Sequence, residues 1–415
     1  MTEHPPACRF CGAALNHIVL DLGEQPLANS FLKQADLARP EPRFRLCVRV
    51  CDECLLVQTD TTVPPETIFS DYVYFSSYSN AWLAHAKAYS EAMIARFGLG
   101  RESRVIEVAS NDGYLLKNFV ARGIPCLGIE PAENVAEVAR AAGVPTETMF
   151  LGEDTAHGIV AKGGAADLVA ANNVLAHVPA INDFVAGLRA LLAEKGVLTV
   201  ECPHLLRLIS QVQFDTIYHE HFFYFSLAAV ERIFARHGLK LFDVEQLPTH
   251  GGSLRIFAER ADTKSPRAQS ESLHALRAAE REAGVQRKDY YDGFTRRVQA
   301  TIASLREFLA SARAEGKMVV AYGAAAKGNT LLNATGATAA DIAYAVDRNP
   351  HKQGLFLPGT HLPVYAPERI AETRPDYVLI LPWNLKDEIV QQTKHIASWG
   401  GKFAIPIPEL RVFAA

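Results

Sequence analysis

Apolar runs and amphipathic segments alternate through the middle of the chain, from Arg104 to Pro203. The runs VIEVAS, PCLGIEP, ADLVAANNVLAHV and VLTVECP are typical of buried strands. Between them lie LLKNFVARG, VAEVARAAG and DFVAGLRALLAEKG, whose apolar residues recur three and four positions apart, as in helices. Short strands separated by amphipathic helices predict an α/β fold with a parallel, doubly wound sheet.

A second unit of the same kind follows residue 316. The segment KMVVAYGAAAKGNTLLNATG contains a strand, a loop of small residues and a helix, and the strands IAYAVD and YVLILPW come after it. This unit is similar to VIEVASNDGYLLK in the middle of the chain. In both units the next strand ends in an acid, Glu130 or Asp347. We therefore expect two α/β domains of related topology.

Two further regions have helical spacing. NAWLAHAKAYSEAMIARFG precedes the central unit, and a charged stretch poor in glycine and proline separates the two α/β units. That stretch predicts one or two long helices that bridge two domains. The predicted parts are a cysteine module, a central α/β domain, a helical linker and a C-terminal α/β domain, at residues 1–70, 71–262, 263–316 and 317–415.

The composition is that of an ordinary soluble globular protein. The 415 residues are 49% hydrophobic and 21% charged, with a formal net charge of -4, which is not basic enough to indicate a nucleic-acid partner. The start, MTEHPPACRF, lacks the features of a signal peptide, and no run of 18 apolar residues occurs. We expect a cytoplasmic protein with no membrane partner. The composition leaves the oligomeric state open, a monomer included.

Four of the seven cysteines form two C-x-x-C pairs, Cys8 with Cys11 and Cys51 with Cys54. Their thiolates can surround one tetrahedral zinc ion, whereas disulfides are not expected in the cytoplasm. Cys47 could replace one ligand, and free buried thiols are the alternative to a metal. Because neither a histidine nor a glutamate ligand is evident, such a zinc would be structural.

A loop of small and polar residues follows the first strand of the central unit. It comprises Ala109, Ser110, Asn111, Asp112 and Gly113, without the G-x-G-x-x-G that a dinucleotide's pyrophosphate needs. The acidic Glu107 and Asp112 suit a ligand that carries an ammonium and a sulfonium. Glu130, about 20 residues further on, could bind both hydroxyls of a ribose. This pattern predicts an S-adenosylmethionine site, and an ordinary turn without a ligand is the alternative.

The segment ANNVLAHVP adds polar residues at the end of a later strand. Asn172, Asn173 and His177 come at its carboxyl end, where open α/β sheets bind ligands. They are predicted to contribute to the same site, although a lone histidine is more often a structural hydrogen-bonding residue.

The stretch IYHEHFFYF, residues 217–225, places two histidines and a glutamate among aromatic rings. Imidazole titrates near neutral pH, so this composition suits a general base or a metal site. The alternative is a buried strand whose polar groups are satisfied. In a strand, Tyr218 and Glu220 would face away from His221. Convergence of the three therefore requires a loop or a helical turn.

Two glycine-containing segments are candidates for substrate binding. In HGGSLR, Gly251 and Gly252 allow close backbone approach and Ser253 could bind a sugar or phosphate; the alternative is a glycine bulge that opens a strand. In GAAAKGNT, Lys327 and Asn329 at a helix N-terminus could bind a diphosphate. The alternative for the lysine is a solvated cation.

Across essentially its whole length the chain resembles the S-adenosylmethionine-dependent C-methyltransferases of deoxysugar biosynthesis. The resemblance is carried by the two C-x-x-C pairs with LLVQ, the E-x-x-SNDG loop, YHEHFFYFS, HGGSLR, AYGAAAKGNTLLN, and VDRNPHKQGLFLPGT with LPWN. It implies a zinc-binding N-terminal module, a central Rossmann-like methyltransferase domain and a C-terminal α/β domain of related topology. The substrate implied is a nucleotide-linked 4-keto sugar held between the domains, with a thymidine carrier favoured over guanosine.

The resemblance also implies roles for the residues of YHEH. His221 acts as the base, with Tyr218 and Glu220 beside it. Methylation of carbon requires removal of a proton next to a ketone, so Tyr218 would donate to the enolate oxygen and Glu220 would orient the imidazole or stabilise its cation. The chain departs from the family at Ala109, where glycine is common. The alternatives are an O- or N-methyltransferase and an inactive nucleotide-sugar-binding protein.

Overall fold

The N-terminal part of the chain forms an antiparallel sheet whose fourth strand comes from the middle of the sequence. The structure is a computed structural model that describes residues 5–61, 63, 64 and 76–415, so the predicted boundary near residue 70 lies outside the described residues. The strands, in spatial order, are His17–Pro26 (β1), Arg43–Val50 (β2), Val57–Thr59 (β3) and Phe223–Tyr224 (β9). Because β9 begins two residues after His221, the cysteine module holds one end of the YHEH stretch.

A seven-stranded sheet forms the centre of the molecule, in the order β10-β11-β8-β7-β4-β5-β6. Its strands are Val105–Val108 (β4), Cys126–Ile129 (β5), Thr146–Glu147 (β6), Ala166–Asn172 (β7), Leu192–Pro203 (β8), Leu239–Leu247 (β10) and Ser253–Arg260 (β11). The strands β4 to β8 are parallel, as predicted, whereas β11 runs antiparallel to both β8 and β10. The connection between β10 and β11 is too short for a parallel crossover, which needs about a dozen residues.

Helices cover both faces of this sheet, which confirms the predicted α/β architecture. They are Asn80–Phe97 (α1), Lys117–Val120 (α2), Glu133–Ala141 (α3), Glu153–Gly163 (α4), Ile181–Leu191 (α5), Leu205–Ser210 (α6) and Leu227–Arg236 (α7). Tyr89 and Phe119 of α1 and α2 pack in one apolar cluster, and Phe184 and Ile233 of α5 and α7 pack in another. The helix expected over DFVAGLRALLAEKG ends at Leu191, because residues 192–195 already belong to β8.

Two helices connect the central sheet to a second α/β unit, as expected for the stretch after residue 262. They are Glu271–Ala283 (α8) and Phe294–Ala314 (α9), followed by Val319–Tyr322 (β12), Ala326–Thr335 (α10), Ala345–Val346 (β13), Val364–Tyr365 (β14), Arg369–Thr373 (α11), Tyr377–Ile380 (β15), Lys386–Thr393 (α12), Lys402–Ile405 (β16) and Arg411–Ala414 (β17). The sheet order is β14-β13-β12-β15-β16-β17, parallel except for β17. The domain boundaries themselves stay a prediction. No helix in the described part of the chain is long and apolar enough to cross a membrane.

Candidate functional site

The four predicted zinc ligands lie together in the N-terminal module. The sulfur atoms of Cys8, Cys11, Cys51 and Cys54 are all within 4.8 Å of one another, with 3.5 Å between Cys8 and Cys54 and between Cys11 and Cys51. Tetrahedral zinc with bonds of about 2.3 Å requires sulfurs about 3.8 Å apart. The cluster therefore fits zinc, and because all four ligands are cysteines the site is structural. Cys47 is buried outside this cluster.

The two halves of the zinc site have the same local geometry. The residue after each pair, Gly12 or Leu55, has a positive φ, of 80° or 63°. Its N–H donates to the carbonyl of the first cysteine of the pair, over 2.9 Å from Gly12 to Cys8 and 3.0 Å from Leu55 to Cys51. These tight turns hold two thiolates on the same side of each loop.

The loop after β4 is tightly folded around the carboxylate of Glu130. Glu130 accepts hydrogen bonds from the backbone N–H of Asn111 (2.9 Å) and of Ala132 (3.0 Å). Ala109, Asn111 and Gly113 have φ values of 58°, 49° and 77°. At Gly113 a Cβ would lie 2.9 Å from Val144. This glycine therefore serves both the turn and its packing.

Several buried carboxyl groups surround this loop. Burial, and then the neighbouring Glu130 and Asp112, raise the pKa of Glu107 well above its ordinary value. Burial also raises the pKa of Glu130. Asp112 accepts from the backbone and hydroxyl of Ser77. A cleft so rich in carboxyl groups disfavours a diphosphate and suits a cationic ligand.

Buried polar atoms without a hydrogen-bond partner in the described part of the chain mark the same cleft. They are Glu107 Oε2, Ser110 Oγ, Asp112 Oδ1, Asn172 Oδ1 and Asn173 Nδ2. Buried polar groups are normally paired, so these atoms fit a ligand with amino and hydroxyl groups. Asn172 ends β7 and Asn173 has a φ of 55°. These predicted cofactor residues therefore lie at the carboxyl ends of β4 and β7, whereas His177 packs on the ring of His221. Contacts of any of them with the cofactor stay a prediction.

The YHEH stretch is a turn, as convergence of its side chains requires, and the backbone N–H of His221 donates to the carbonyl of Tyr218. The hydroxyl of Tyr218 lies 2.9 Å from Nε2 of His221. Nδ1 of His221 lies 2.8 Å from the carbonyl oxygen of Thr216. Since a carbonyl only accepts, Nδ1 carries the hydrogen and Nε2 accepts from the tyrosine. The backbone carbonyl of Thr216 therefore orients the ring, a role that the sequence suggested for Glu220.

Burial dominates the electrostatics of this turn. It lowers the pKa of His221 well below its ordinary value, with a further contribution from His177. The two rings are 4.7 Å apart, and burial lowers the pKa of His177 to about 4. Both imidazoles are therefore neutral near pH 7. The carboxylate of Glu220 turns to another partner, Asn29, whose Nδ2 donates to Oε1 over 2.6 Å.

The glycines of HGGSLR make packing contacts at the start of strand β11, as the alternative of a structural glycine bulge requires. A Cβ at Gly251 would lie within 3 Å of the Trp383 ring, and one at Gly252 would lie 2.8 Å from the Arg207 side chain. The hydroxyl of Ser253 donates to the carbonyl of Thr249 over 2.9 Å. The glycines thus allow close packing, and substrate contacts from this segment stay a prediction.

Lys327 and Asn329 lie in the first turn of α10, as predicted, and make different contacts. Its Nζ donates to Asn384 over 2.7 Å and lies 5.0 Å from the ring centre of Trp383. Burial lowers the pKa of Lys327, so the ammonium is not a solvated surface cation. Asn329 is buried, and its Nδ2 donates to the carbonyl of Ala28 over 2.6 Å, while its Oδ1 has no hydrogen-bond partner in the described part of the chain. A substrate contact from Asn329 stays a prediction.

Three residues near these segments were not identified from the sequence. His250 has a φ of 55°, stacks edge-on against Trp82 at 5.3 Å and has a pKa lowered to about 4 by burial. Asp215 accepts from the Trp383 indole over 2.7 Å, and burial raises its pKa to about 6. Asn29 is the third. The contacts of each residue join distant parts of the chain. The only sequence feature that could have pointed to one of them is the nearness of Asp215 to YHEH.

Comparison with known proteins agrees with this geometry. Family models match residues 8–69 as a zinc binding domain, residues 82–244 as a methyltransferase domain and residues 248–408 as a C-methyltransferase C-terminal domain. The C-methyltransferase NovU of Streptomyces niveus is 37% identical over 410 residues, which are 98% of this chain and 97% of the relative. The chain belongs to the C-methyltransferase family. It is an S-adenosylmethionine-dependent methyltransferase with a structural zinc in its N-terminal module, as predicted.

Solved structures resemble the C-methyltransferase more distantly. The magnesium protoporphyrin IX methyltransferase of Synechocystis with bound SAM is 15% identical, with a TM-score of 0.36, over 49% of this chain and 100% of its own. A SAM-dependent methyltransferase of Thermotoga maritima is 20% identical, with a TM-score of 0.35, over 47% of this chain and 99% of its own. Scores at this level establish neither cofactor nor substrate.

Proposed function

We propose that this C-methyltransferase methylates a carbon, most simply C3, next to the ketone of a nucleotide-linked 4-keto-deoxysugar. The observation that carries the proposal is the Tyr218–His221 pair, with its 2.9 Å contact and a tautomer fixed by Thr216. Oxygen and nitrogen nucleophiles already have a lone pair, whereas carbon needs a base of this kind. The proposed compartment is the cytoplasm, where the four zinc thiolates stay reduced.

The bound S-adenosylmethionine supplies an electrophilic methyl group on a sulfonium. Nε2 of neutral His221 takes the proton from the carbon next to the ketone, and the C–H electrons form an enolate. Tyr218 turns its hydroxyl from Nε2 to the enolate oxygen and stabilises the negative charge there. The cofactor, which Glu130 and the loop after β4 would hold, would supply the methyl group to the enolate carbon, with the sulfonium leaving as a neutral thioether. His221 would then release its proton to solvent.

Glu220 contributes charge to this scheme. Its carboxylate does not contact the imidazole, so the role we propose is to stabilise the imidazolium that forms on the adjacent residue. The His177 ring, which packs on His221, also hydrogen-bonds the backbone of Glu220. The Glu220 carboxylate and the rings of His177 and His221 therefore lie in one buried cluster. Phe222 and Phe223 are buried next to it and exclude water.

The diphosphate of the substrate is assigned to the second α/β unit. Lys327 brings a buried ammonium to the N-terminus of the ten-residue helix α10, where free backbone N–H groups favour anions. Trp383 contacts both segments: its ring centre lies 5.0 Å from Nζ of Lys327, and a Cβ at Gly251 would lie within 3 Å of its ring. A thymidine diphosphate carrier remains the favoured substrate form.

The direct test is incubation with a panel of nucleotide-linked 4-keto sugars and S-adenosylmethionine, read by mass spectrometry. One sugar should gain one methyl group at carbon. If the enzyme binds adenosylhomocysteine but no sugar of the panel gains a methyl group, the proposed substrate class is refuted.

The base is tested by exchange of the substrate's ring hydrogen with deuterated solvent when adenosylhomocysteine replaces the cofactor. Exchange should occur in the wild type and disappear in His221→Ala, whose turnover should fall by about 10²–10⁴. Tyr218→Phe should retain exchange at a reduced rate. Exchange that survives in His221→Ala and disappears in Tyr218→Phe would make the tyrosine the base.

A further inference from the structure

The segment after β1 reaches from the zinc-binding module into the catalytic turn. Asn29 Nδ2 lies 2.6 Å from Glu220 Oε1, a contact between residues 191 positions apart. Glu220 is only 6% exposed, and Asn29 is the one hydrogen-bond donor to its carboxylate in the described part of the chain. An N-terminal side chain therefore fixes one oxygen of a buried group beside the Tyr218–His221 pair.

This segment is held in place by the C-terminal unit. The carbonyl of Ala28 accepts from Asn329 over 2.6 Å. Leu32 exchanges two backbone hydrogen bonds with Phe356, of 3.0 and 2.8 Å. Neither anchor uses the side chain of Asn29. The backbone is thus anchored on both sides of Asn29, at Ala28 and at Leu32, and such anchoring holds the Asn29 side chain in place against Glu220.

The charge of Glu220 depends on its surroundings. Burial raises the pKa of Glu220 to about 7, while the hydrogen bond from Asn29 and the charge of Lys352 act in the opposite direction. Lys352 donates to the carbonyl of Ala324 over 2.8 Å and lies over the Phe31 ring, and it makes no ion pair with Glu220 among the described residues. From the central domain, the His177 ring bonds the backbone of Glu220. Among these neighbours Asn29 gives the only direct stabilisation of the ionised carboxylate.

We propose that Asn29 is a positioning residue for the methyl transfer: it fixes the Glu220 carboxylate beside the Tyr218–His221 pair and maintains its negative charge. The inference rests on the function proposed above for Glu220. It assigns the zinc-binding module a part in the catalytic site in addition to its structural metal.

The kinetic test compares Asn29→Ala with Ser30→Ala, which truncates the exposed neighbouring side chain. Loss of a hydrogen bond to a charged group should lower kcat of Asn29→Ala about tenfold or more and leave Ser30→Ala unchanged. Without its donor the carboxylate holds its proton more tightly, so the acidic limb of the kcat profile should move to higher pH. Asn29→Gln keeps an amide donor and should recover part of the rate. Equal kcat in Asn29→Ala and wild type would overturn the inference.

A double variant separates positioning from general damage to the fold. If Asn29 acts through Glu220, Asn29→Ala with Glu220→Gln should be no slower than Glu220→Gln alone, whereas additive losses would contradict the inference. The titration of Glu220, followed by carboxyl ¹³C NMR in substrate-free enzyme and assigned with Glu220→Gln, should shift upward in Asn29→Ala. An unshifted titration overturns the inference even if no sugar is turned over. Failure of the sugar panel alone counts only against the proposed substrate.

Discussion

The two α/β units have similar loops after their first strands, but side chains of opposite charge surround the two loops. In the first unit Glu130, after β5, accepts the backbone N–H of Asn111 at 2.9 Å. In the second, Asp347, after β13, accepts the backbone N–H of Ala324 at 2.7 Å and that of Asn349 at 2.8 Å. In each unit, therefore, a carboxylate at the end of the second strand accepts a hydrogen bond from the backbone of the small-residue loop.

The side chains around each loop differ in sign. Glu107, Asp112 and Glu130 crowd the first cleft, and their mutual repulsion contributes to the raised pKa of Glu107. Beside the second loop lie Lys327 and Lys352, whose pKa values are lowered mainly by burial. In our proposal, one backbone arrangement thus serves a cationic cofactor in the first unit and an anionic diphosphate in the second. Fold alone would not distinguish the two sites.

Loss of zinc should have the largest effect, because it removes the fold of the N-terminal module, although the metal contacts neither loop. Metal binding of this kind contributes on the order of 10 kcal/mol to folding. Chelation, or Cys51→Ser, should unfold strands β1 to β3 and, through the pairing of β3 with β9, abolish methyl transfer. Adenosylhomocysteine binding at the first loop should persist in calorimetry. Loss of that binding together with zinc would show that the first cleft is not independent of the module.

The acids of the two loops should differ in ligand dependence. Glu130→Ala should weaken S-adenosylmethionine binding by about 1.5–3 kcal/mol, the scale of hydrogen bonds to a charged group, without changing nucleotide diphosphate affinity. The matched variant Asp347→Ala should leave cofactor affinity intact. Calorimetry on both proteins with both ligands decides the point. Equal cofactor affinity in the Glu130 variant and wild type would remove Glu130 from the site.

Local pattern was enough to predict much of this. Strand and helix periodicity predicted the parallel sheet, the linker helices and the second unit, and C-x-x-C spacing predicted the zinc ligands. The antiparallel β10–β11 pair was missed. So were the contacts that Thr216 and Asn29 make with the YHEH turn, because backbone carbonyls and partners 191 residues away leave no trace in local spacing. The close approach of Trp383 to Gly251 is of the same kind, since the sequence showed that space was needed but not what would fill it.

A smaller effect is expected for the cation of the second loop. Lys327→Met should weaken binding of a thymidine diphosphate by about 1.5 kcal/mol, the lower end for a hydrogen bond to a charged group, because the N-terminus of α10 still contributes. Lys394→Met, which removes an exposed lysine, is the control. Titration calorimetry at two salt concentrations provides the measurement. If both variants bind equally well, the anion does not lie at this helix.

The smallest effect concerns the first residue after each leading strand. Ala109 follows β4 with a φ of 58°, and Gly323 follows β12 with a φ of 96°. A left-handed backbone costs a residue with a Cβ about 1–2 kcal/mol, and glycine gives back roughly 0.5–1 kcal/mol through its greater freedom in the unfolded chain. Ala109→Gly should therefore raise the free energy of unfolding by about 0.5 kcal/mol. Gly323→Ala should be destabilising, because its Cβ would also lie 2.5 Å from the Pro382 ring. Urea unfolding monitored by circular dichroism measures both, and a destabilised Ala109→Gly would mean that the methyl group makes contacts which outweigh the strain.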